Sequence, residues 1–312
     1  VSRKINILYK ANIDPERIII MPGGKPTMNY AISFFGESGA EIIYPDPGFP
    51  IYESMINFTG AKAVPYDMTK NKDFSINPDT ILSLINEKTR LLILNNPHNP
   101  TGGFTEKHVI DKLANGLKKF PDLAILSDEV YDRLIFDKKE IPTLLNYPDL
   151  YGRLIVLNGW SKTYAMTGWR LGWSVWPEKL IEHVFKFCVN SHSCVNTPAQ
   201  YGAIAALNGP ENHLNDMMKE FNLRRKLIVD GLRTLKGIEC SMPGGSFFAF
   251  PNVSKTGMNG ENFTKKCLQE AGVAMIPGIA FGKFATDNVR LNFATSRENI
   301  SKAIEKIDKI LK

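Results

Sequence analysis

The chain has 312 residues, of which 43% are hydrophobic and 22% charged, with 38 Lys plus Arg against 32 Asp plus Glu and a formal net charge of +6. This is the composition of an ordinary globular chain, long enough for one large or two average domains, and it excludes disordered, collagen-like and low-complexity readings. No apolar stretch reaches the length of a membrane span, and the basic excess is scattered. Its tightest groups, Arg224-Arg225-Lys226 and Lys265-Lys266, fall in helical patterns and are expected on solvated faces, unlike the aromatic-interleaved stripe of a nucleic-acid binder.

In chain order, seven short β-rich runs alternate with helical stretches. The runs cover residues 17–21, 41–44, 61–66, 90–94, 123–127, 153–157 and 171–175. Several are continuously apolar, which suits strands buried on both faces of a parallel sheet covered by helices. Helical patterns of suitable length lie between them, for example over 78–87 and 106–119. The alternation predicts an α/β fold with a mostly parallel sheet of about seven strands, flanked by helices. After Asn208-Gly209-Pro210 the pattern changes. A long amphipathic helix is expected over 211–235, then short strands at 246–250, 273–276 and 289–293, and two helices. Thr295 and Glu298 make a capping-box pair for the last helix, whose Ile300, Ile304, Ile307 and Leu311 share one face. The reading is a large domain over 1–209 and a smaller C-terminal α+β domain over 210–312.

Ligands of open α/β sheets bind beyond the carboxyl ends of the strands, so the residues after each run matter most. After the first run, Pro22-Gly23-Gly24-Lys25-Pro26-Thr27 opens a helix whose backbone N–H groups can approach an anion. Taken alone, a plain strand–helix turn is as good a reading. It is not a P-loop, because Ile19 stands where the first glycine belongs and Pro26 follows Gly-Lys, and no GxGxxG follows any run. After the fourth run, two Asn-Pro steps in Asn95-Asn96-Pro97-His98-Asn99-Pro100 force extended or turn backbone. They present the Asn99 amide, whereas His98 has no metal-ligand spacing around it and is incidental.

After the fifth run comes Ser127-Asp128-Glu129-Val130-Tyr131. A carboxylate at the end of a buried strand needs a cation or a strong donor, although an Asp after a strand is often only a helix cap. Tyr131 can reach the same pocket. After the sixth run, Lys162 follows a buried strand and neighbours a buried Asp, which makes it a candidate for a desolvated amine of lowered pKa, as Schiff-base chemistry requires. Arg170, further along, can bind a phosphate. A lone loop lysine is ordinarily solvent-exposed, and only the company of the other loops changes that reading. Cys188, Cys194, Cys240 and Cys267 form no CxxC pair and read as buried or free thiols of a reducing compartment. With no apolar signal region at the N-terminus, a cytoplasmic location is expected.

Taken together, the blocks PDPGFPxY, NNPxNPTGG, SDEVY, SKTYAMTGWRLG, PGGSFF and VRLNFATS resemble the pyridoxal-phosphate-dependent aminotransferases of fold type I, class I/II. They follow the family's order over nearly the whole chain. The GGK turn and the AMTGWRLG run are most similar to the aspartate and aromatic aminotransferases of bacteria and archaea. The resemblance implies an aminotransferase of amino-acid metabolism with pyridoxal 5′-phosphate as cofactor. It implies that Lys162 holds the cofactor as a Schiff base and then moves the substrate proton. Asp128 would pair with the pyridine nitrogen and keep it protonated. Tyr131 and Asn99 would hydrogen-bond the phenolic oxygen, and Phe49 would stack on the ring. The Gly24 and Lys25 amides, Ser161 and Arg170 would hold the phosphate. Arg290 would clamp the substrate α-carboxylate beside Asn99.

Two departures accompany the resemblance. Many relatives carry Ser where this chain has Gly159, so one phosphate contact is absent or replaced. Family chains also begin several tens of residues earlier, with a glycine loop, substrate-side residues and a Tyr that reaches the partner subunit's cofactor. Without that segment the site is expected to be incomplete, binding cofactor but transaminating poorly. A two-fold homodimer is implied, acting on an amino acid and a 2-oxo acid, with neither nucleic acid nor membrane as partner. Lys25 hints at an acidic, aspartate-like substrate, with an aromatic one second. The alternatives are a pyridoxal-phosphate-dependent C–S β-lyase and a catalytically silent cofactor-binding relative. Intact Lys162, Asp128 and Arg170 argue against the silent one.

Overall fold

The computed structural model describes residues 1–137 and 141–312. Each of the seven apolar runs forms a strand: β1 Ile18–Met21, β2 Glu41–Asp46, β3 Lys62–Asp67, β4 Thr89–Asn95, β5 Ala124–Asp128, β6 Leu154–Gly159 and β7 Gly172–Val175. They make one sheet in the order β1-β7-β6-β5-β4-β2-β3. β7 runs antiparallel to both neighbours, and the other pairs are parallel.

The continuous apolar runs have a simple cause. Leu92, Leu94, Ile125, Leu154 and Val156 enter one buried cluster, while Leu91, Ile93, Leu126, Ile155 and Leu157 enter another. Successive side chains point to opposite faces, so a sheet covered on both sides needs an apolar residue at every position. The connecting helices are α1 Ser2–Tyr9, α2 Lys25–Phe35, α3 Ile51–Thr59, α4 Pro78–Leu84, α5 Lys107–Leu117, α6 Trp160–Thr163, α7 Ile181–His192 and α8 Thr197–Asn208. Ile110, Leu113, Ala114 and Leu117 of α5 show the covering role, being buried on one face at helical spacing.

Beyond Gly209 and Pro210 lies the long helix α9 Asn212–Thr234, followed by β8 Phe248–Ala249, α10 Gly260–Ala271, β9 Ile276–Pro277, β10 Val289–Asn292 and α11 Arg297–Leu311. The three strands form a second, antiparallel sheet in the order β8-β10-β9. Its core packs Phe263, Cys267, Val289, Phe293, Ile300 and Ile307 against α9, and it also takes Tyr131, Leu134 and Phe136 from the segment after β5.

The structure corrects several expectations. The strand expected over 273–276 shrinks to Ile276–Pro277, because the chain there is still ending α10: Gly272 is left-handed and the Val273 N–H donates back to the Cys267 carbonyl. The α11 cap is Ser296, one residue later than the box at Thr295 requires. The Ser296 hydroxyl accepts from the Asn299 N–H at 3.1 Å, Thr295 takes the Asn299 side-chain amide, and Glu298 pairs with Lys302. Arg225 is not on a solvated face. It is 3% exposed, lies over the Phe136 ring, and donates to the Pro243 carbonyl and to Asp137. Among the described residues no helix is long and apolar enough to cross a membrane. All four cysteines are free, with Cys194 exposed and the others buried.

Candidate active site

The carboxyl ends of β1, β2, β4, β5 and β6 open into a cavity of about 490 Å³ that also borders the second sheet. All ten residues singled out from the sequence line it: Gly24, Lys25, Phe49, Asn99, Asp128, Tyr131, Ser161, Lys162, Arg170 and Arg290. The volume suits a small cofactor with a substrate.

At one rim, β1 turns into α2 through Gly23 and Gly24. Gly24 is the N-cap and carries no side chain to occupy the first-turn N–H groups. The Arg170 side chain crosses this turn so closely that a Cβ on Gly23 would stand 2.2 Å from its Nη2. Gly23 also holds φ of 95°, a value suited to glycine. A Cβ on Gly172 would stand 2.5 Å from the Gly23 carbonyl, so β7 and the turn pack backbone to backbone. Arg170 itself is left-handed (φ 55°), braced by Nη1 donating to the Thr167 carbonyl at 2.8 Å. The rim thus gathers uncapped N–H groups, a guanidinium and the Ser161 hydroxyl, a donor set that fits a phosphate group. Gly159 is explained by space: a Cβ there would meet the Leu171 carbonyl oxygen at 2.8 Å and the Gly172 Cα at 2.9 Å. This backbone has no room for a serine.

The floor is different. Asp128 ends β5, is fully enclosed, and accepts the Tyr52 hydroxyl at 2.5 Å and the Val130 N–H at 3.2 Å. Burial nevertheless pushes its carboxyl up to about 6, against the pull of those donors and of Lys162. A carboxylate so buried and facing a cavity fits a cationic partner from the ligand side. Lys162 stands over the rings of Phe247 and Tyr131, with Nζ 5.2 and 5.6 Å from their centroids. Burial lowers its pKa, Arg290 and Arg170 push the same way, and Asp128 opposes them. Asn95 ties two loops together, donating to the Asp128 carbonyl and accepting the Asn99 N–H. The Asn99 side-chain oxygen accepts from Arg290 Nη1 at 3.0 Å, and the guanidinium lies over Phe248 and Phe281. Lys25 holds its ammonium 5.8 Å from the Phe49 ring centroid.

The neighbouring acids do other work. Glu129 accepts the Ser127 hydroxyl and the Leu144 N–H, and burial raises it to about 7. Asp132 takes the Tyr9 hydroxyl and the Arg133 N–H, and burial raises it to about 6. Neither lines the cavity. His98 is enclosed against Thr101 and held neutral, its pKa pushed down to about 3 by burial. Sequence reasoning missed Tyr52, Asn95 and Phe247. Tyr52 did carry a signal: it lies one helical turn beyond Phe49 in the same motif, so the two aromatic rings can reach one site.

The family model of aminotransferase class I and II matches residues 3–307. The chain is 36% identical to a probable aspartate aminotransferase of Methanocaldococcus jannaschii, with 99% of this chain and 81% of the relative aligned. It is 33% identical to an aspartate aminotransferase of Pyrococcus abyssi, over 100% of this chain and 80% of the relative. The crystal structure of an aromatic aminotransferase from Pyrococcus horikoshii superposes with a TM-score of 0.95 at 33% identity, covering 99% of this chain and 83% of that one.

Proposed function

The chain belongs to the class I and II aminotransferases, and we propose that it moves the amino group of an acidic α-amino acid, aspartate or a close analogue, to a 2-oxo acid with pyridoxal 5′-phosphate bound in the cavity described above. Enzymes of this class are in general pyridoxal-phosphate-dependent. When bound, the cofactor supplies an electron sink for the carbanion left at the substrate Cα. The observation that carries the proposal is the convergence in one cavity of a desolvated lysine, a buried carboxylate, an anion-binding turn and a second guanidinium.

Each residue then has a task that its surroundings suit. The amide N–H groups of Gly24 and Lys25, with Ser161 and Arg170, hold the phosphate. Asp128, kept from water by Tyr52 and the strand ends, would serve as the buried counter-charge that keeps the ring nitrogen protonated. Phe49 would pack against the ring, and Tyr131 and Asn99 would supply donors to its phenolic oxygen. Lys162 would hold the cofactor, and as a free amine, which its lowered pKa favours, it would take the proton from the substrate Cα. Arg290 takes the α-carboxylate in its fork, braced by Asn99 and two rings. Lys25 meets the side-chain carboxylate of an acidic substrate. The second reading, an aromatic substrate, is favoured by Phe247 and Phe248 in the cavity wall.

Residues 1–209 and 210–312 act as a large cofactor domain and a small domain, and two copies assemble about a two-fold axis. Phe185 and Val189 of α7 and Tyr201 and Ile204 of α8 are large apolar side chains left exposed, which supports such an assembly. A panel of amino donors with 2-oxoglutarate tests the function, and aspartate is expected to react fastest. Release of ammonia without an acceptor would instead indicate a lyase. Borohydride reduction of the holoenzyme followed by peptide mapping should find the cofactor on Lys162, and an adduct on any other lysine would refute the assignment.

A further inference from the structure

The junction between the two sheets carries a contact that none of the assigned roles uses. Asp46 ends β2, is 1% exposed, and stands three residues before Phe49. Its carboxylate accepts two backbone N–H groups from the C-terminal region, Lys283 on Oδ2 at 3.1 Å and Phe284 on Oδ1 at 3.2 Å. The preceding residue is Gly282, at φ 150°, where a Cβ would stand 2.0 Å from Asp46 Oδ1. Only glycine leaves the carboxylate room to reach both amides. A second bond runs beside the first, from the Gly48 N–H to the Phe281 carbonyl at 2.7 Å.

What this junction holds gives it meaning. Phe281 lies in the same loop, and its ring centroid is 4.6 Å from the Arg290 guanidinium carbon. On the other side, Asp46 and Gly48 lead directly into Phe49 in the cavity wall. The loop 278–285 therefore stands under the substrate clamp, and the end of β2 stands under the ring-covering wall. The pair of N–H bonds to the buried Asp46 carboxylate and the neighbouring bond from the Gly48 N–H to the Phe281 carbonyl tie the two together.

We propose that Asp46 is a positioning residue that fixes the Arg290 clamp in register with the Phe49 wall, so that the carboxylate of a bound amino or 2-oxo acid is held at a set distance from the cofactor ring. The proposal rests on the function argued above for Arg290 and Phe49. Asp46 touches neither substrate nor cofactor, and its removal acts on substrate binding through Phe281. Asn is a sharp probe because it keeps the shape but turns one acceptor into a donor, leaving one N–H facing another.

The test uses the full chain with Asp46→Asn, Gly282→Ala and both together. In the two single variants the KM for amino donor and the Kd for 2-oxoglutarate, measured calorimetrically, should rise at least about tenfold. The kcat should stay within about threefold and the bound cofactor should be retained, since neither position contacts the reacting atoms. The double variant should be no worse than the weaker single one, because both changes break the same contact. Amide hydrogen exchange at Lys283 and Phe284 should quicken while the β4 and β5 amides stay protected. Unchanged KM and Kd in both single variants would overturn the proposal, as would a loss of kcat and cofactor in step with melting temperature. If the wild-type chain transfers no amino group, the functional reading fails, yet 2-oxoglutarate affinity and amide exchange still decide Asp46. Wild-type values for both in Asp46→Asn would refute it.

Discussion

The rim and the floor of the cavity achieve fixed geometry by opposite means. At the rim, Gly23, Gly159 and Gly172 let backbones and the Arg170 side chain approach to distances that no Cβ would allow, and the charge there remains open to water. At the floor, Asp128 is sealed and oriented by Tyr52, Val130 and the asparagine network below it. The rim is made by absence of side chains and the floor by their hydrogen bonds. Damage at the rim should therefore appear mainly as weaker binding, and damage at the floor as lost chemistry, because a buried charge acts at low dielectric and a solvated one does not.

The largest effect expected is at the floor. Asp128→Asn removes the buried counter-charge while keeping shape, and kcat should fall at least about a hundredfold with cofactor still bound. Stopped-flow half-reactions would check this, and near-normal turnover would end the distinction between the two regions. Next comes the rim. Gly23→Ala drives a methyl group into Arg170 at a strained φ, and cofactor affinity should weaken by roughly 30-fold with kcat at saturating cofactor changed far less. Fluorescence titration with pyridoxal 5′-phosphate measures it. A kcat loss with unchanged affinity would reverse the assignment.

A smaller effect is expected at Lys25, the first residue of α2 at the rim, whose ammonium lies 5.8 Å from the Phe49 ring centroid. Lys25→Met should lower the aspartate-to-tyrosine ratio of kcat/KM by about tenfold, the worth of one exposed charge pair with its hydrogen bond. Measured ratios that do not change would remove Lys25 from substrate recognition. The smallest effect in rate carries a sign. Burial raises the Asp128 carboxyl above its ordinary value and a protonated ring nitrogen opposite it would draw it down again; the ionised form is the useful one, so activity falls as pH drops on the acid side. The Tyr52 hydroxyl stabilises the ionised form. Tyr52→Phe should therefore raise the acid limb of the pH–rate profile by about one unit and leave the rate at pH 8 within about fivefold. A limb that moves downward would mean that the phenol does not serve the carboxylate.

The strands were legible in the amino-acid sequence because burial on both faces leaves an unbroken apolar run, as in Leu91 to Leu94, and the strand-end rule then pointed to Asn99, Asp128 and Lys162. What stayed hidden shares one physical trait: it depends on which way a side chain points after a chain reversal. Asp128, Glu129 and Asp132 are three acids within five residues, and nothing in their order says that only the first faces the cavity. Arg225 sits in a run of basic residues and turns inward because Phe136 and the Pro243 carbonyl receive it. Tyr52 shares a motif with Phe49, but its hydroxyl finds Asp128 only because β5 lies beside β4 and β2 in the sheet. The contact of Asp46 with Lys283 and Phe284 joins distant parts of the chain, and no local pattern announces it.

The reversed direction of β7 has a consequence for how this protein can change. Gly159, the last residue of β6, pairs directly with Gly172, the first of β7. Everything between them, the short helix α6 with Lys162 and the turn with Arg170, is thus a segment whose two feet are pinned side by side at one end of the sheet. A strand parallel to β6 would instead have to be entered from the far end, and the lysine and the arginine would need separate supports. Because its feet are clamped and Trp160 and Leu171 anchor it in the core beside the sheet, the segment keeps Lys162 and Arg170 in one fixed relation, and a change in its exposed turn around Thr167 to Trp169 is expected to disturb the register of the sheet least.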